Sequence, residues 1–304
     1  MKADFKDYLH MHFIVFIWGF TAILGLLITI PAVEVVFYRT LFAAIALLPF
    51  LFYRRLSLKV GWRETLKIIG TGCLIAAHWI LFFASARVSN ASICLAGMAT
   101  ASFWTSLVEP WFYRRKTKGF EVFLGLIVIA GLYVIFKFEF NHFLGLSMAL
   151  GSALLAAIFS VINSKLTKKH SPYVITFYEM ASASLSTALF FPLYTMYLAP
   201  DQSLHLALSG MDFLYILLLA TVCTVYAFSA SVELMKKISP FTMNLTVNLE
   251  PVYGIILAVI IFGESEKMAP GFYMGTVIIL LAVLSYPIVN RINKRKALEL
   301  DNLR

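Results

Sequence analysis

Val36-Phe37-Tyr38-Arg39, near the start of one apolar run, returns as Thr176-Phe177-Tyr178-Glu179 at the start of another, 140 residues later. The correspondence continues outward from this pair. Ser89 to Phe112 lies over Ser239 to Phe262 at an offset of 150, and Gly125 lies over Gly275 at the same offset. One unit is therefore present twice. If each copy holds an odd number of membrane spans, the second must enter the bilayer from the opposite face. Inverted repeats of this kind mark secondary transporters, whose substrate site sits near the midplane between the halves.

Composition identifies the units as membrane spans. Of 304 residues, 61% are hydrophobic and 13% charged, with a mean hydropathy of +0.84; a soluble domain carries roughly a quarter charged residues. The apolar residues fall in stretches of about 20, the length that crosses a hydrocarbon core of about 30 Å. Ten are read: Leu9–Ile30, Val33–Phe52, Leu66–Ala86, Ala91–Phe112, Phe120–Phe136, Leu144–Asn163, Val174–Leu198, Phe213–Met235, Phe241–Phe262 and Phe272–Val289. Backbone groups in lipid must bond within their own segment, and these runs lack the period-two alternation of a membrane barrel. The expected fold is an all-α integral membrane protein. It has ten transmembrane helices in two inverted five-helix repeats, residues 9–137 and 142–291, with a basic tail at 292–304.

The charges orient the bundle. With both termini inside, the cytoplasmic segments hold 21 basic residues: Lys2, Lys6, Arg54, Arg55, Lys59, Arg63, Lys67, Arg114, Arg115, Lys116, Lys118, Lys165, Lys168, Lys169, Lys236, Lys237, Arg291, Lys294, Arg295, Lys296 and Arg304. Arg87, Lys137 and Lys267 lie outside, and Arg39 lies within a span. The reverse topology puts nearly all of them on the wrong side. A multi-pass protein of the inner (cell) membrane with both termini cytoplasmic is expected. The net charge of +9 is then the positive-inside excess facing anionic headgroups, and no nucleic-acid partner is called for. The first apolar run lacks a small-residue cleavage site after it and reads as a retained span. Cys73, Cys94 and Cys223 lie inside spans without metal-type spacing and read as buried, inert thiols.

A family resemblance follows from particular residues. Asn248-Leu249-Glu250-Pro251-Val252-Tyr253-Gly254, continuing to Phe262-Gly263-Glu264, resembles the second-repeat signature of the EamA-like branch of the drug/metabolite transporter superfamily. Trp18-Gly19, Tyr38-Arg39 and a small-residue-rich span ending in Glu109-Pro110 resemble its first repeat. One departure matters: repeat one has Thr100-Ala101 where repeat two has Glu250-Pro251. The resemblance implies a central cavity enclosed by spans one to four and six to nine, and passage of small metabolites without ATP. The chain has no P-loop motif, in keeping with that.

Ionisable side chains at bilayer depth are functional candidates by default, since each costs about 2.5–3.5 kcal/mol on insertion scales. Glu250 sits near the middle of its span beside Pro251, which removes a backbone hydrogen bond. It is expected to bind a substrate amine or carry a coupling proton, against the alternative of a carboxyl that merely holds the interrupted helix. On a continuous helix Thr246, Glu250, Tyr253 and Gly254 share one face and Asn244, Asn248 and Pro251 the opposite one, so this span is expected to be enclosed by protein. His78, followed by Trp79, is the other midplane candidate, because its ordinary pKa lies nearest neutrality; a packing role is the alternative. Arg39 is expected either to meet a structural partner, such as a backbone carbonyl or Glu34, or to contact an anionic substrate group. Glu179, at the equivalent depth from the other face, is too far along the normal to pair with Arg39, and is expected to snorkel toward Lys168 and Lys169. Trp18, Trp79, Phe103, Trp104 and Tyr253 are aromatic candidates for the cavity wall. Glu264 is expected to fix the turn after the ninth span, and Gly271-x-x-x-Gly275 offers a face for a homodimer.

The sequence thus points to a carrier moving a small polar or amphipathic metabolite, such as an amino acid or related compound, outward by alternating access. Its expected contacts are Glu250, Asn244, Asn248, His78, Arg39, Trp18, Trp79 and Tyr253, with proton coupling, no cofactor, no metal and no covalent chemistry. A lipid-linked or nucleotide-sugar carrier would need several cations in the cavity, and only Arg39 is available. An intramembrane enzyme would need a nucleophile–base pair or metal spacing, which the spans lack. A membrane sensor would need an output domain.

Overall fold

The computed structural model describes residues 3–114, 116, 119–138, 140–199 and 201–302. Lys2, Arg115, Lys118 and Arg304 of the expected cytoplasmic charge set lie outside the described residues. Every regular element among the described residues is helical. In chain order these are α1 (Phe5–Trp18), α2 (Thr21–Leu27), α3 (Ala32–Tyr53), α4 (Trp62–Val88), α5 (Ala91–Met98), α6 (Ala101–Tyr113), α7 (Gly119–Phe138), α8 (Phe143–Leu166), α9 (Pro172–Tyr197), α10 (Gly210–Leu218), α11 (Ala227–Leu234), α12 (Pro240–Val247), α13 (Glu250–Phe262) and α14 (Pro270–Asn302). A π-helical segment, Leu219–Tyr226, joins α10 to α11.

Several labels share one rod. α1 and α2 form a single stretch, Phe5–Leu27, as do α5 and α6 (Ala91–Tyr113), α10 and α11 (Gly210–Leu234), and α12 with α13 (Pro240–Glu266). Counted so, eight helices among the described residues are long and apolar enough to cross a membrane. Two shorter apolar stretches, Phe123–Ile135 and Pro270–Ala282, lie within α7 and α14.

The pattern on each rod is inverted relative to a soluble protein. On α9, Leu185, Leu189, Leu193 and Met196 form an exposed apolar stripe, while Thr176, Glu179, Ala183 and Thr187 are buried. Large apolar side chains face outward and small or polar ones pack inward, which lets helices approach closely. Gly72 shows this: a Cβ there would stand 2.5 Å from the Glu179 carbonyl, so α4 and α9 meet backbone to backbone. α7 and α14 form a peripheral pair, with Gly275 against the Gly131 carbonyl at 2.7 Å from where a Cβ would be. That contact lies within one chain, so the Gly275 face of the Gly271-x-x-x-Gly275 motif is occupied by α7 rather than free for a second copy. The core proper lies among α2, α3, α4, α5, α8, α9 and the π-helical rod.

Three rods are interrupted near mid-length: at Gly19–Phe20, at Ala99–Thr100 and at Asn248–Leu249. All six residues keep right-handed angles, so each break loses ladder bonds without turning the chain. At the third, Pro251 lacks an N–H and α13 begins afresh. The basic turns Lys168–Lys169 and Lys236–Lys237 fall at one end of the bundle with the first residues of α1.

Candidate functional site

The three breaks surround a cavity of about 80 Å³. Trp18 and Thr21 flank the first break, Met98 and Ala101 the second, Val247 and Glu250 the third, and all six line it. Discontinuous helices place unmated backbone and half-helix termini against a site, the arrangement typical of carriers. From this level the cavity extends toward the basic end, past Asn163, Ser231, Met235 and Met243.

Arg39 is buried in this wall. Its guanidinium carbon lies 3.8 Å from the centre of the Trp79 ring, and Nε donates to the Thr224 hydroxyl at 2.9 Å. Cation–π contact and one hydrogen bond hold the group flat. The wide π-helical turn makes this geometry: Thr224 passes its own proton to the Leu219 carbonyl five residues back, at 2.8 Å, and so presents a lone pair to Arg39. The same segment offers the Cys223 carbonyl to the Trp18 indole N–H at 3.0 Å. Glu34 is not the partner of Arg39; its carboxylate accepts from the His205 backbone N–H at 3.2 Å. Among the described residues no carboxylate comes within ion-pairing distance of Arg39.

Glu250 opens α13 at the same level and is buried. The Thr21 hydroxyl lies 3.4 Å from Oε1 but only 2.6 Å from the Trp18 carbonyl. One proton cannot serve both well, and the shorter bond takes it. The carboxyl is thereby left facing the cavity with a weak donor, near enough to Arg39 for their charges to interact.

His78 is fixed by Ser152 on α8. The consistent pattern has Nδ1–H donating to the Ser152 carbonyl at 2.9 Å and the Ser152 hydroxyl donating to the His78 carbonyl at 2.9 Å. This assigns the tautomer, with Nε2 left as an acceptor. Asn244 donates to the Thr105 hydroxyl at 2.7 Å and turns its oxygen toward Ser160 at 3.4 Å.

The expected contact residues thus divide. Glu250, Asn244, His78, Arg39, Trp18 and Trp79 come together around one cavity. Asn248 does not; it donates to the Ser102 hydroxyl at 2.7 Å, one turn behind the wall. Tyr253 packs edge-on to Phe16 and against Gly19, and Phe103 and Trp104 lie off the lining as well. The opposite-face assignment for Asn244 and Glu250 fails because the helix between them is broken. Glu179 does not snorkel: it is wholly buried, while Lys169 pairs with Glu64 at 3.0 Å. Cys73 is exposed on the bundle surface, unlike Cys94 and Cys223. Sequence reasoning passed over Thr21, Ser152, Ser160 and Asn163. Thr21 had a signal, a hydroxyl just past Trp18-Gly19 in mid-span; Ser152 had none, since its partner is 74 residues away.

The end away from the basic turns is closed by polar contacts. Arg87 donates to the carbonyls of Gly25 and Ile28 at 3.1 and 3.0 Å, and Asp212 accepts from the Thr29 N–H and hydroxyl at 2.7 Å each. Glu266 accepts from the Ala91 and Ser92 N–H groups at 2.9 Å each and from the Ser92 hydroxyl at 2.8 Å, capping α5. The turn-fixing role expected of Glu264 therefore belongs to Glu266; Glu264 is exposed and meets Lys267.

A model of the EamA-like transporter family matches residues 8–137 and 143–286. The chain is 30% identical over 162 residues to the pseudopaline exporter CntI of Pseudomonas aeruginosa, in strains UCBPP-PA14 and PAO1. The alignment covers 52% of this chain and 55% of each exporter, so it spans about half the length of these curated relatives. A solved structure described only as "Crystal structure of protein" superposes with a TM-score of 0.65 over 91% of this chain and 95% of its own, at 15% identity. That likeness speaks for the fold alone.

Proposed function

The chain belongs to the EamA-like transporter family, within the drug/metabolite transporter superfamily, and from that premise we propose that it moves a small zwitterionic, partly apolar metabolite, such as an amino acid or related compound, outward across the inner membrane by alternating access. It is a multi-pass membrane transporter rather than an enzyme. The ten spans form two inverted repeats, residues 9–137 and 142–291, with both termini cytoplasmic and a basic tail at 292–304. The matching interruptions of α5–α6 and α12–α13 support this topology.

One observation carries the substrate class: the cavity holds one guanidinium and one carboxyl that are not paired with each other, between aromatic walls. Arg39 takes a substrate carboxylate, Glu250 takes its ammonium, and Trp18, Trp79 and Phe228 cover the apolar part. Asn244 and the free His78 Nε2 supply directional hydrogen bonds. Asn248 and Tyr253 brace the wall from behind. Glu250 and His78 are also the cavity groups able to exchange a coupling proton. A cavity reaching toward the basic end, with the other end closed by Arg87, Asp212 and Glu266, supports a form that loads from the cytoplasm. The similarity to a pseudopaline exporter supports outward movement.

Counterflow in proteoliposomes tests this against a panel of amino acids, nucleobases, polyamines and organic acids, with and without a pH gradient. Exchange of zwitterions is the expected result. Exchange confined to nucleobases, polyamines or dianions would refute the assignment.

A further inference from the structure

A second set of buried charges lies at the outer end, where α4 meets α2 and α3. Glu34, in the first turn of α3, is wholly buried. Its Oε1 accepts from the His205 N–H at 3.2 Å, and its Oε2 is buried without a partner. Arg87, in the last turn of α4, commits Nη2 to the carbonyls of Gly25 and Ile28, and its Nε is buried without a partner. The two groups lie near enough for their charges to interact, yet no ion pair among the described residues joins them. The other carboxylates close to them are filled, Asp212 by Thr29 and Ser209, Asp201 by Ser203 and His205. A buried acceptor and a buried donor of opposite charge thus stand unmatched in one neighbourhood, which is rare and costly.

The half-helix α2 keeps them apart. It has seven residues and a length of about 10 Å. At one end it starts from the Gly19–Phe20 break and sets Thr21 in the cavity wall beside Glu250. Its other end is where Arg87 binds. Phe83 and Arg87 share a face of α4, and a Cβ on Gly25 would stand 2.3 Å from the Phe83 ring, so α2 lies flush against that face. The guanidinium then reaches the last carbonyls of α2, and this reach holds Arg87 short of Glu34. A movement of α2 away from α4, turning at the break, takes those carbonyls away and frees the guanidinium.

We propose that Arg87 is a latch with two alternative partners, the α2 carbonyls while the outer end is closed and the Glu34 carboxylate while it is open. Switching between discrete arrangements is how packed elements move. An arginine–carboxylate pair is charge-assisted and can be bidentate, and the orphaned Nε and Oε2 are the atoms that complete it. Arg87 is then bonded in both positions of α2, so opening strands no buried guanidinium. Because α2 begins beside Glu250, its position is also set at the substrate cavity. Glu34 is a positioning residue in this scheme: it acts through Arg87 and touches no substrate. The latch deepens the carrier assignment and rests on it.

The test follows opening of the outer end without substrate. Ile28, buried at the end of α2, serves as an Ile28→Cys reporter in the full-length protein in membranes. Its labelling by a membrane-impermeant maleimide added from outside is timed by peptide mass. An interaction made only in the open form sets how much of that form is populated. Ile28→Cys alone is expected to label, and adding Glu34→Gln, which keeps an acceptor for the His205 N–H, is expected to slow labelling at least tenfold. On an Arg87→Met background Glu34→Gln should change the rate by less than about twofold, because the pair is already gone. The solubilised Glu34→Gln protein should keep or raise its melting midpoint, since it loses a charge that the closed form leaves unpaired. Unchanged labelling in Glu34→Gln, equal slowing on both backgrounds, or a reporter that is never labelled would overturn the latch. A lowered midpoint with unchanged labelling would overturn it too, making Glu34 a brace of the closed form. Failed zwitterion exchange in the panel above with the labelling response intact would instead overturn the substrate assignment.

Discussion

Gly72→Ala and Gly70→Ala differ by two positions on α4 and should part sharply in stability. At Gly72 the added carbon would stand 2.5 Å from the Glu179 carbonyl oxygen and 3.2 Å from the Ala183 nitrogen, with the Ser182 hydroxyl closer still. The hydroxyl can rotate away; the carbonyl belongs to the α9 backbone and cannot. Relief requires α9 to retreat by roughly 1 Å to reach an ordinary contact near 3.5 Å, and overpacking of this order costs about 1–3 kcal/mol. Both substitutions gain the same helix propensity, about 0.8–1.0 kcal/mol, and at Gly70 nothing lies within 4 Å to oppose it. The propensity terms cancel in the comparison, so the two variants should differ by the overpacking cost alone, a gap on the order of 5 °C in melting midpoint. Detergent-solubilised protein heated and then run on size-exclusion reads this directly. Equal midpoints would refute the close approach of α4 and α9 at Gly72.

Other outcomes follow from the same contacts. Glu266→Ala strips three hydrogen bonds from the start of α5 and should destabilise by about 2–3 kcal/mol, whereas Glu264→Ala, on an exposed pair, should leave the melting midpoint unchanged. Arg39→Met fills the space beside Trp79 without the charge; normal expression with at least tenfold slower zwitterion exchange is expected in the counterflow assay. Ser152→Ala removes the hydroxyl bonded to the His78 carbonyl but keeps the backbone carbonyl that accepts from Nδ1–H, so the pH profile of exchange should keep its shape. Asp201, in the loop before α10, is held below the usual carboxylate range chiefly by the Ser203 hydroxyl. Its anchoring of that loop is complete above about pH 4, the ordinary Asp value, and is lost as pH falls through the lower folded value. Protease nicking around residue 201 should therefore increase as pH falls below about 4, and Asp201→Ala should remove that increase.

The helices were legible because lipid forces each apolar run to satisfy its own backbone, and the basic turns marked which ends lie together. The break at Asn248–Leu249 was legible in Pro251, but its consequence was not. A continuous helix puts Asn244 and Glu250 on opposite faces; the interruption puts both on the cavity and turns Tyr253 away toward Phe16. Glu264 and Glu266 are two residues apart in one tight turn, and only the turn's geometry decides which carboxylate reaches α5. Glu179 was misjudged because snorkelling assumes a free path to solvent, and this side chain is wholly buried in the bundle. Ser152 and Thr224 set the poses of His78 and Arg39 from distant helices, and no local pattern reports such partners.

Equilibrium binding to purified protein, run as a chemical double-mutant cycle, bears most directly on the claim that Arg39 holds a substrate carboxylate. A zwitterion found by counterflow is compared with its carboxyl-amidated analogue, on wild type and on Arg39→Met. Amidation should weaken binding to wild type by at least tenfold and have little effect on Arg39→Met, because the charge it removes has already lost its partner. If amidation weakens binding equally on both proteins, Arg39 does not meet the carboxylate, and the cavity's role as a zwitterion site is contradicted.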